Sequence, residues 1–325
     1  MDPRIQLLGI GNAIVDILAH VDEDFLVGLG IPRGSMTLID EGRAREIYET
    51  MGVTTQVSGG SVANTIANFA ELGGRAAYIG RVKADQFGEV FMHDMRSLGA
   101  ELRIEPAASG LPTARSYIII TPDGQRTMQT YLGACTQLGV ADISEQTVGD
   151  PAVLLLEGYV WDLPEGPALL DKAMDIAAAA GSRIALSLSD SFCVDRHREE
   201  FLEVVQERAD VVLADADEAM ALYRNWNFED VARIAAETGK LFVMTRSEQG
   251  SVVVRGGERI DQPTERVEKV IDTTGAGDAY ATGFLLGLSR GAPLAECARL
   301  GTHCATHVIQ RVGARIDKDL LDPPG

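Results

Sequence analysis

A short acidic glycine motif, DTTGAGD at residues 272–278, contains the residue types from which phosphoryl chemistry can be built. Strand-like residues precede it at 267–271, and Tyr280 and Phe284 follow at helical spacing, which predicts a turn between a strand and a helix. The first amides of a helix lack intrahelical partners and attract anions such as a phosphoryl oxygen. Because an acid would repel a passively held phosphate, Asp278 is better interpreted as a base for a hydroxyl that attacks a phosphoryl group. The competing interpretation is an acidic N-cap after a glycine-rich turn.

A second glycine motif, SGGSVANTIANF at residues 58–69, also opens a predicted helix. Ser61 is the expected N-cap, and the two glycines before it allow a ligand to approach the backbone closely. Asn64 lies within the first turn and can reach the same ligand. The alternative is an ordinary capped helix whose asparagines lie at the surface.

The composition limits the classes of partner. The chain has 325 residues, 46% hydrophobic and 24% charged, as expected for a globular α/β protein of one or two domains. Its net charge is −19 at pH 7, so neither a nucleic acid nor an anionic membrane is an expected partner. An anionic substrate must therefore be held by local devices such as helix termini, a metal ion or single arginines.

The cysteines and the hydropathy pattern bear on location. The four cysteines show neither CxxC spacing nor a zinc-type cluster, and we interpret them as reduced, buried side chains. No basic segment followed by an apolar core indicates a signal peptide, and no stretch approaches the ~18 apolar residues of a membrane span. We therefore expect a soluble, cytoplasmic protein.

The first part of the chain contains a predicted strand that ends in polar residues and, further on, a predicted hairpin. Residues 5–11 are largely apolar and strand-like, and the Gly-Ile-Gly at their end lacks the third glycine of a dinucleotide fingerprint. Asn12 and Asp16 follow as ligand contacts or, alternatively, as turn and solvent-facing residues. Residues 114–121 and 126–133 flank Pro-Asp-Gly-Gln and predict a β-hairpin.

From residue 151 onward, apolar strands alternate with helices, which predicts a parallel sheet covered on both faces. Residues 251–255 and 267–271 are expected to pair antiparallel, and residues 195–208 to form one helix. Ligands bind at the carboxyl ends of parallel strands. The expected strands are residues 152–157, 184–189, 211–213 and 241–245.

Both glycine motifs, their order and their spacing resemble the signatures of the ribokinase family, the PfkB-type carbohydrate and nucleoside kinases. The resemblance covers nearly the whole chain. It implies a ribokinase-like three-layer α/β/α sandwich with a largely parallel central sheet and a small β lid. The large domain would comprise residues 1–15, 41–110 and 134–325, and the discontinuous lid residues 16–40 and 111–133.

Within the family the chain looks most like the adenosine-kinase branch, through Gly59-Gly60-Ser61, the Gly-Gln-Arg-Thr of the hairpin and the stretch that begins at His303. This implies transfer of the γ-phosphate of ATP to the 5′-hydroxyl of a nucleoside. Adenosine is the first expected acceptor, and its product would be AMP. ATP and Mg²⁺ are the implied cofactors. A sugar kinase, an inosine or guanosine kinase, and a nucleoside-binding regulatory protein stay open as alternatives.

Positions in the family's motifs imply roles for individual residues. Asp278 would be the catalytic base, and the amides of Gly275, Ala276 and Gly277 the anion hole. Arg126 of the hairpin would meet the transferring phosphates. The implied acceptor contacts are Asn12, Asp16, Gly60, Asn64 and Tyr159, with ordinary core packing as the alternative for Tyr159.

The implied nucleotide site departs from the family pattern at two positions. Asp215 stands where the family has asparagine in Asn-x-x-Glu, whose glutamate, here Glu218, handles Mg²⁺ indirectly. Ser247 replaces a glycine of the nucleotide loop, so the family pattern no longer predicts the backbone conformation of that loop. Asp272 would hold a monovalent cation, K⁺. The expected partner is a small nucleoside or sugar, and the expected assembly a monomer or homodimer. The implied nucleotide contacts are Asp215, Glu218, Thr245, Arg246, Gly250 and His303, with helix packing as the alternative for His303.

Overall fold

The computed structural model describes residues 4–123 and 125–321, which form fourteen strands and twelve α-helices. The strands are β1 (Leu7–Ile10), β2 (Ile14–His20), β3 (Met36–Leu38), β4 (Thr55–Gly59), β5 (Ala76–Ile79), β6 (Glu101–Leu102), β7 (Ala114–Ile120), β8 (Arg126–Tyr131), β9 (Val153–Glu157), β10 (Arg183–Ser187), β11 (Val211–Asp215), β12 (Leu241–Thr245), β13 (Ser251–Arg255) and β14 (Glu258–Gln262). The helices are α1 (Glu23–Gly28), α2 (Glu41–Thr50), α3 (Ser61–Glu71), α4 (Gln86–Ser97), α5 (Glu145–Val148), α6 (Gly166–Ala179), α7 (Ser191–Arg196), α8 (Arg198–Glu207), α9 (Ala216–Tyr223), α10 (Phe228–Glu237), α11 (Ala276–Ser289) and α12 (Leu294–Val308).

The central sheet has nine strands in the order β14-β13-β12-β11-β10-β9-β1-β5-β6. Its strands from β12 to β6 run parallel, and β13 and β14 close one edge antiparallel. The predicted α/β class with a largely parallel sheet is confirmed. Because the carboxyl ends of the parallel strands meet at one edge, that edge can gather polar side chains from distant parts of the chain.

Alternating side chains of the buried strands pack into two separate hydrophobic cores, one on each face of the sheet. The sheet and the helices on its two faces therefore form three layers. On β9, Leu155 packs in a core with residues of α3 and α11, whereas Leu154 and Leu156 pack in a second core with residues of α6 and α8. Successive strand residues point to opposite faces, so an all-apolar strand must be covered on both.

A second sheet of five strands, in the order β3-β8-β7-β2-β4, stands beside the central one. The predicted hairpin forms its middle as the antiparallel pair β7 and β8; Gly124 of the turn lies outside the described residues. Most of this second sheet comes from the segments predicted for the lid, but β4 comes from the predicted large domain. The division into a large domain and a lid stays a prediction.

Two predicted elements are wrong. Residues 267–271 are not a strand, because the edge partner of β13 is β14, joined to it through Gly256 and Gly257. Ile271 instead donates its amide to the carbonyl of Ile309, after α12, and the residue is 49% exposed. The single helix predicted at 195–208 is divided at His197 into α7 and α8.

No helix in the described ranges 4–123 and 125–321 combines the length and apolar character needed to span a bilayer. The four cysteines are free thiols and all are buried.

Candidate active site

Asp278 lies in the first turn of α11, as the glycine motif predicts. Gly275 is the N-cap and has φ +73°, the left-handed conformation that glycine adopts without strain. A Cβ at Gly275 would also overlap Ala314, so the turn and the chain near the C-terminus approach closely only because this position is glycine. The amide of Ala276 donates to the carbonyl of Thr273 at 3.2 Å, which engages one of the three amides predicted to form the anion hole.

Two side chains of α3 hold the Asp278 carboxylate. Ser61 Oγ donates to Oδ1 at 2.7 Å, and Asn64 Nδ2 donates to Oδ2 at 2.9 Å. Burial raises the pKa of Asp278, while these hydrogen bonds and the charge of Arg315 oppose the rise. A half-buried carboxylate with oriented lone pairs is a suitable proton acceptor.

The predicted role of Ser61 as N-cap is wrong. The N-cap of α3 is Gly60, with φ +99°, and Ser61 is the first helical residue. Its hydroxyl is therefore free to turn toward Asp278 and does not satisfy the amides of its own helix. The interpretation of Asn64 as a surface residue is also excluded, because its side chain is buried.

A cavity of about 540 Å³ opens beside Asp278 at the carboxyl ends of the parallel strands, and we call it the larger cavity because it is the larger of the two that meet at this site. Leu155, Leu213 and Val243 form part of its floor, and α11 and α12 line one side. Its described lining contains no Lys or Arg, although it is lined by several carboxylates. These are Asp215, Glu218, Glu248, Glu265 and Asp278.

Asp215 and Glu218 form a reciprocal cap at the start of α9. Asp215 Oδ1 accepts the Glu218 amide at 2.8 Å, and Glu218 Oε2 accepts the Asp215 amide at 2.9 Å. Burial, reinforced by the neighbouring Asp215, raises the pKa of Glu218 to about 8. The Asp215 carboxylate thus accepts the same capping hydrogen bond that the side-chain oxygen of an asparagine would accept. Unlike asparagine, it also adds a negative charge.

The loop after β12 borders the larger cavity and keeps its turn without the family's glycine. Ser247 has φ +49°, so a serine adopts the left-handed conformation there. Thr245, Ser247 and Gly250 line the larger cavity. Arg246 does not turn toward it, because its guanidinium lies over the Phe228 ring at 4.1 Å from the centroid.

A cavity of about 320 Å³, the smaller cavity, lies between the second sheet and the glycine motif. Asp16, Asn64, Arg126 and Arg315 bring polar groups to it. Burial raises the pKa of Asp16 to about 7, with Arg315 as the strongest opposing charge. Leu18, Val57, Ile118, Ile120 and Val312 contribute apolar side chains to the same lining.

Arg126 joins the second sheet to the glycine motif. Its Nη1 donates to Thr274 Oγ1 at 2.8 Å, and its Nη2 pairs with Asp272. Asp272 also accepts the amides of Thr274 at 2.9 Å and Gly313 at 2.6 Å. In this arrangement an arginine and two amides occupy the Asp272 carboxylate, and its expected role as a K⁺ ligand stays a prediction. Across residues 4–123 and 125–321, no group of three or more His, Cys, Asp and Glu is arranged to hold a metal ion.

Three predicted acceptor contacts lie outside the linings of both cavities, and their roles as contacts stay predictions. The backbone amide of Asn12 donates to Glu157 Oε1 at 3.3 Å, and Asn12 lies outside both cavity linings. Gly60 lets the backbone of Asn12 approach, since a Cβ there would overlap the Asn12 carbonyl. Tyr159, expected to stack on a base, donates its hydroxyl to Asp190 Oδ2 at 2.6 Å and also lies outside both linings.

His303 reaches the larger cavity only through a neighbour. Its Nδ1 lies 3.0 Å from Glu265 Oε2, and Glu265 is the residue that lines the cavity. The predicted proximity of His303 to a nucleotide stays a prediction, and in this structure Glu265 lies between the imidazole and the cavity.

Sequence reasoning missed two charged residues of the site. Glu157 ends β9 and accepts the amides of Asn12 and Val62, and burial raises its pKa to about 7. The rule that strand ends carry ligands could have found Glu157. Arg315 has no local signal, because it lies in an irregular segment beyond α12.

The comparison with known proteins agrees with this geometry. The model of the pfkB family carbohydrate kinases matches residues 37–320. The chain belongs to the pfkB family. This family assignment confirms the predicted class of enzyme, an ATP-dependent kinase with an alcohol group as acceptor.

Solved structures and curated relatives of this pfkB kinase carry two kinds of name. The adenosine kinase from Sinorhizobium meliloti is 46% identical, with a TM-score of 0.89 over 97% of each chain. A probable sugar kinase from Rhizobium etli is 43% identical, with a TM-score of 0.89 over 97% of this chain and 96% of that one. Adenosine kinase 2 of Arabidopsis thaliana is 27% identical over 94% of both chains.

Proposed function

We propose that this pfkB kinase transfers the γ-phosphoryl group of ATP to the 5′-hydroxyl of adenosine, giving AMP and ADP. The observation that carries the proposal is the position of Asp278. It lines the larger cavity, while Asn64, its hydrogen-bond partner, lines the smaller one. A base between a donor site and an acceptor site is the arrangement that phosphoryl transfer needs.

The larger cavity suits a nucleotide that arrives with a metal ion. Its acidic lining would repel a bare triphosphate. Magnesium, a hard cation that prefers oxygen ligands, would neutralise the phosphate charge and be held largely by phosphates and water. Asp215 and Glu218 are the carboxylates at this edge that fit an indirect contact, and their mutual repulsion favours a nearby cation.

The smaller cavity suits the acceptor. Asp16 can accept two hydrogen bonds from the vicinal 2′- and 3′-hydroxyls of a ribose. The 5′-hydroxyl is then the hydroxyl left to face Asp278. The apolar lining residues, among them Leu18, Ile118 and Val312, favour an acceptor with a nucleobase over a free sugar.

The proposed chemical step needs only groups already described. The 5′-oxygen forms the new bond to the γ-phosphorus, its proton passes to Asp278, and the bond to the ADP oxygen breaks with its electron pair. The Gly277 amide and Arg126, once released from Asp272, stabilise the charge on the transferring group. Such a reaction would recycle a purine nucleoside.

A substrate panel tests the proposal: ATP and Mg²⁺ with adenosine, inosine, guanosine, ribose and fructose, with ADP release as the readout. Adenosine should be phosphorylated most efficiently. A sugar that outruns every nucleoside would favour the second candidate, which the similarity to the Rhizobium etli protein supports. Binding of nucleosides without ADP release would support a regulatory protein. The Mg²⁺ requirement, the monomer or homodimer and the cytoplasmic location stay predictions.

A further inference from the structure

An irregular segment after α12 is held against α3 and brings an arginine into the smaller cavity. Asn68 Nδ2 donates to the Ala314 carbonyl at 2.8 Å, and Asn68 Oδ1 accepts the Ile316 amide at 3.1 Å. Arg315 lies between these two anchors and lines the smaller cavity. Its backbone is therefore fixed on both sides before its side chain makes any contact.

The guanidinium of Arg315 determines which way the Asn64 amide points. Arg315 Nη1 donates to Asn64 Oδ1 at 2.7 Å, and Asn64 Nδ2 donates to Asp278 Oδ2 at 2.9 Å. If the amide were flipped, its donor would face a guanidinium and its acceptor a carboxylate, and both contacts would be repulsive. Arg315 thus selects the one orientation in which Asn64 donates to Asp278.

The other nitrogen of Arg315 ties the same guanidinium to the second sheet and to α4. Nη2 donates to the carbonyl of Ser58 and to Ser58 Oγ at 2.6 Å, and lies 3.5 Å from Asp94 Oδ2. Asp94 in turn accepts the Ser58 amide at 2.8 Å. These contacts use the planar fork of arginine, which an ammonium reproduces only in part.

Building on the proposed function, we infer that Arg315 is a positioning residue for phosphoryl transfer, which acts through Asn64 on the base Asp278. Arg315 orients the amide that donates to the carboxylate, and its charge favours the ionised form that accepts the proton. It does not itself touch the reacting atoms.

Several charges surround the two carboxylates that Arg315 influences. Arg315 opposes the burial that raises the pKa of both Asp278 and Asp16. Asp16 is further affected by Asp278, which raises its pKa, and by Arg126, which lowers it. Glu157 completes the acidic groups around Asp278. Removal of Arg315 therefore raises the pKa of Asp278, and the acid limb of the rate profile moves to higher pH.

The test compares Arg315→Met and Arg315→Lys with the matched control Arg81→Met. The side chains of Arg315 and Arg81 are 25% and 26% exposed, and Arg81 pairs with Asp142 outside both cavities. We expect Arg315→Met to lose about 10- to 100-fold in kcat/KM for adenosine, with an unchanged KM for ATP and a shifted acid limb. Arg315→Lys should recover part of the loss, because the charge returns without the fork. Arg81→Met should keep the wild-type rate and profile.

A double-variant cycle checks the route through Asn64. Arg315→Met should cost clearly less in an Asn64→Ala background than in the wild type, because the amide that it orients has gone and only the effect of its charge on Asp278 remains. The inference fails if Arg315→Met keeps wild-type kcat/KM and an unshifted acid limb. It also fails if Arg81→Met loses as much kcat/KM as Arg315→Met does and the acid limb moves in neither variant. If the wild-type enzyme prefers another acceptor to adenosine, the proposed substrate fails, and the same variants are compared with that acceptor.

Discussion

Arg126 Nη1 lies 2.8 Å from Thr274 Oγ1, which links β8 of the second sheet directly to the turn before α11. The same guanidinium pairs with Asp272, at the start of the glycine motif. A phosphate bound at that turn would compete with Asp272 for the arginine, because both offer anionic oxygens to a bidentate donor. The contact therefore couples the second sheet to whatever occupies the turn before α11.

The first prediction concerns this coupling. Arg126→Ala should lower kcat and kcat/KM together, because the guanidinium is used when charge develops on the transferring group. Steady-state kinetics with both substrates measure the effect. Arg33→Ala is the control, since Arg33 is a more exposed arginine that pairs with Asp123 and Glu23 at the surface. An effect confined to the KM for the nucleoside would instead assign Arg126 to the acceptor site.

The second prediction concerns the base. Asp278→Asn should reduce kcat by ~10²–10⁴, the range expected for loss of a positioned general base. ATP should bind at least as well, because a negative charge leaves the larger cavity. The wild-type rate should fall as pH drops through the pKa of Asp278, which burial raises, and the variant should lack that limb. Asp142→Asn, at the Arg81 ion pair, is the control. Near-normal turnover of Asp278→Asn would contradict the assignment.

The third prediction concerns the acceptor. If Asp16 senses the 2′-hydroxyl, 2′-deoxyadenosine should show kcat/KM roughly 10- to 150-fold below that of adenosine. Asp16→Ala should remove most of that difference, because the group that senses the hydroxyl is gone. Competition between the two nucleosides, followed by product analysis, measures the ratio. Equal rates for both nucleosides in the wild-type enzyme would remove Asp16 from this role.

The fourth prediction concerns stability and pH. The pKa of Glu157 is raised from 4.5 to about 7 by burial, so the folded state binds its proton more tightly than the unfolded state does. Ionisation of Glu157 then destabilises the fold as pH rises from about 4.5 to 7, by no more than ~3 kcal/mol. Glu157→Gln should lose less stability than the wild type over this window, as measured by urea unfolding at several pH values. Identical pH slopes for the two proteins would show that Glu157 does not carry this cost.

The sequence alone determined the parts of the fold that depend on neighbours along the chain. The turn within 272–278 and the helix after it follow from glycines placed before a helical repeat, and α11 begins at Ala276, inside the motif. The parallel sheet follows from apolar strands alternating with helices. In both cases backbone conformation and periodicity act over a few residues, so a local pattern is sufficient.

Only the tertiary structure decided which side chains meet. Ser61 contacts Asp278 across 217 residues, and Arg315 contacts Asn64 across 251. The same limit applies to Tyr159: the sequence is equally compatible with a base-stacking and a packing role, and only the structure shows Asp190 beside its hydroxyl. Side-chain partners at such separations are selected by how whole elements pack, and a single sequence contains no periodic signal for that choice.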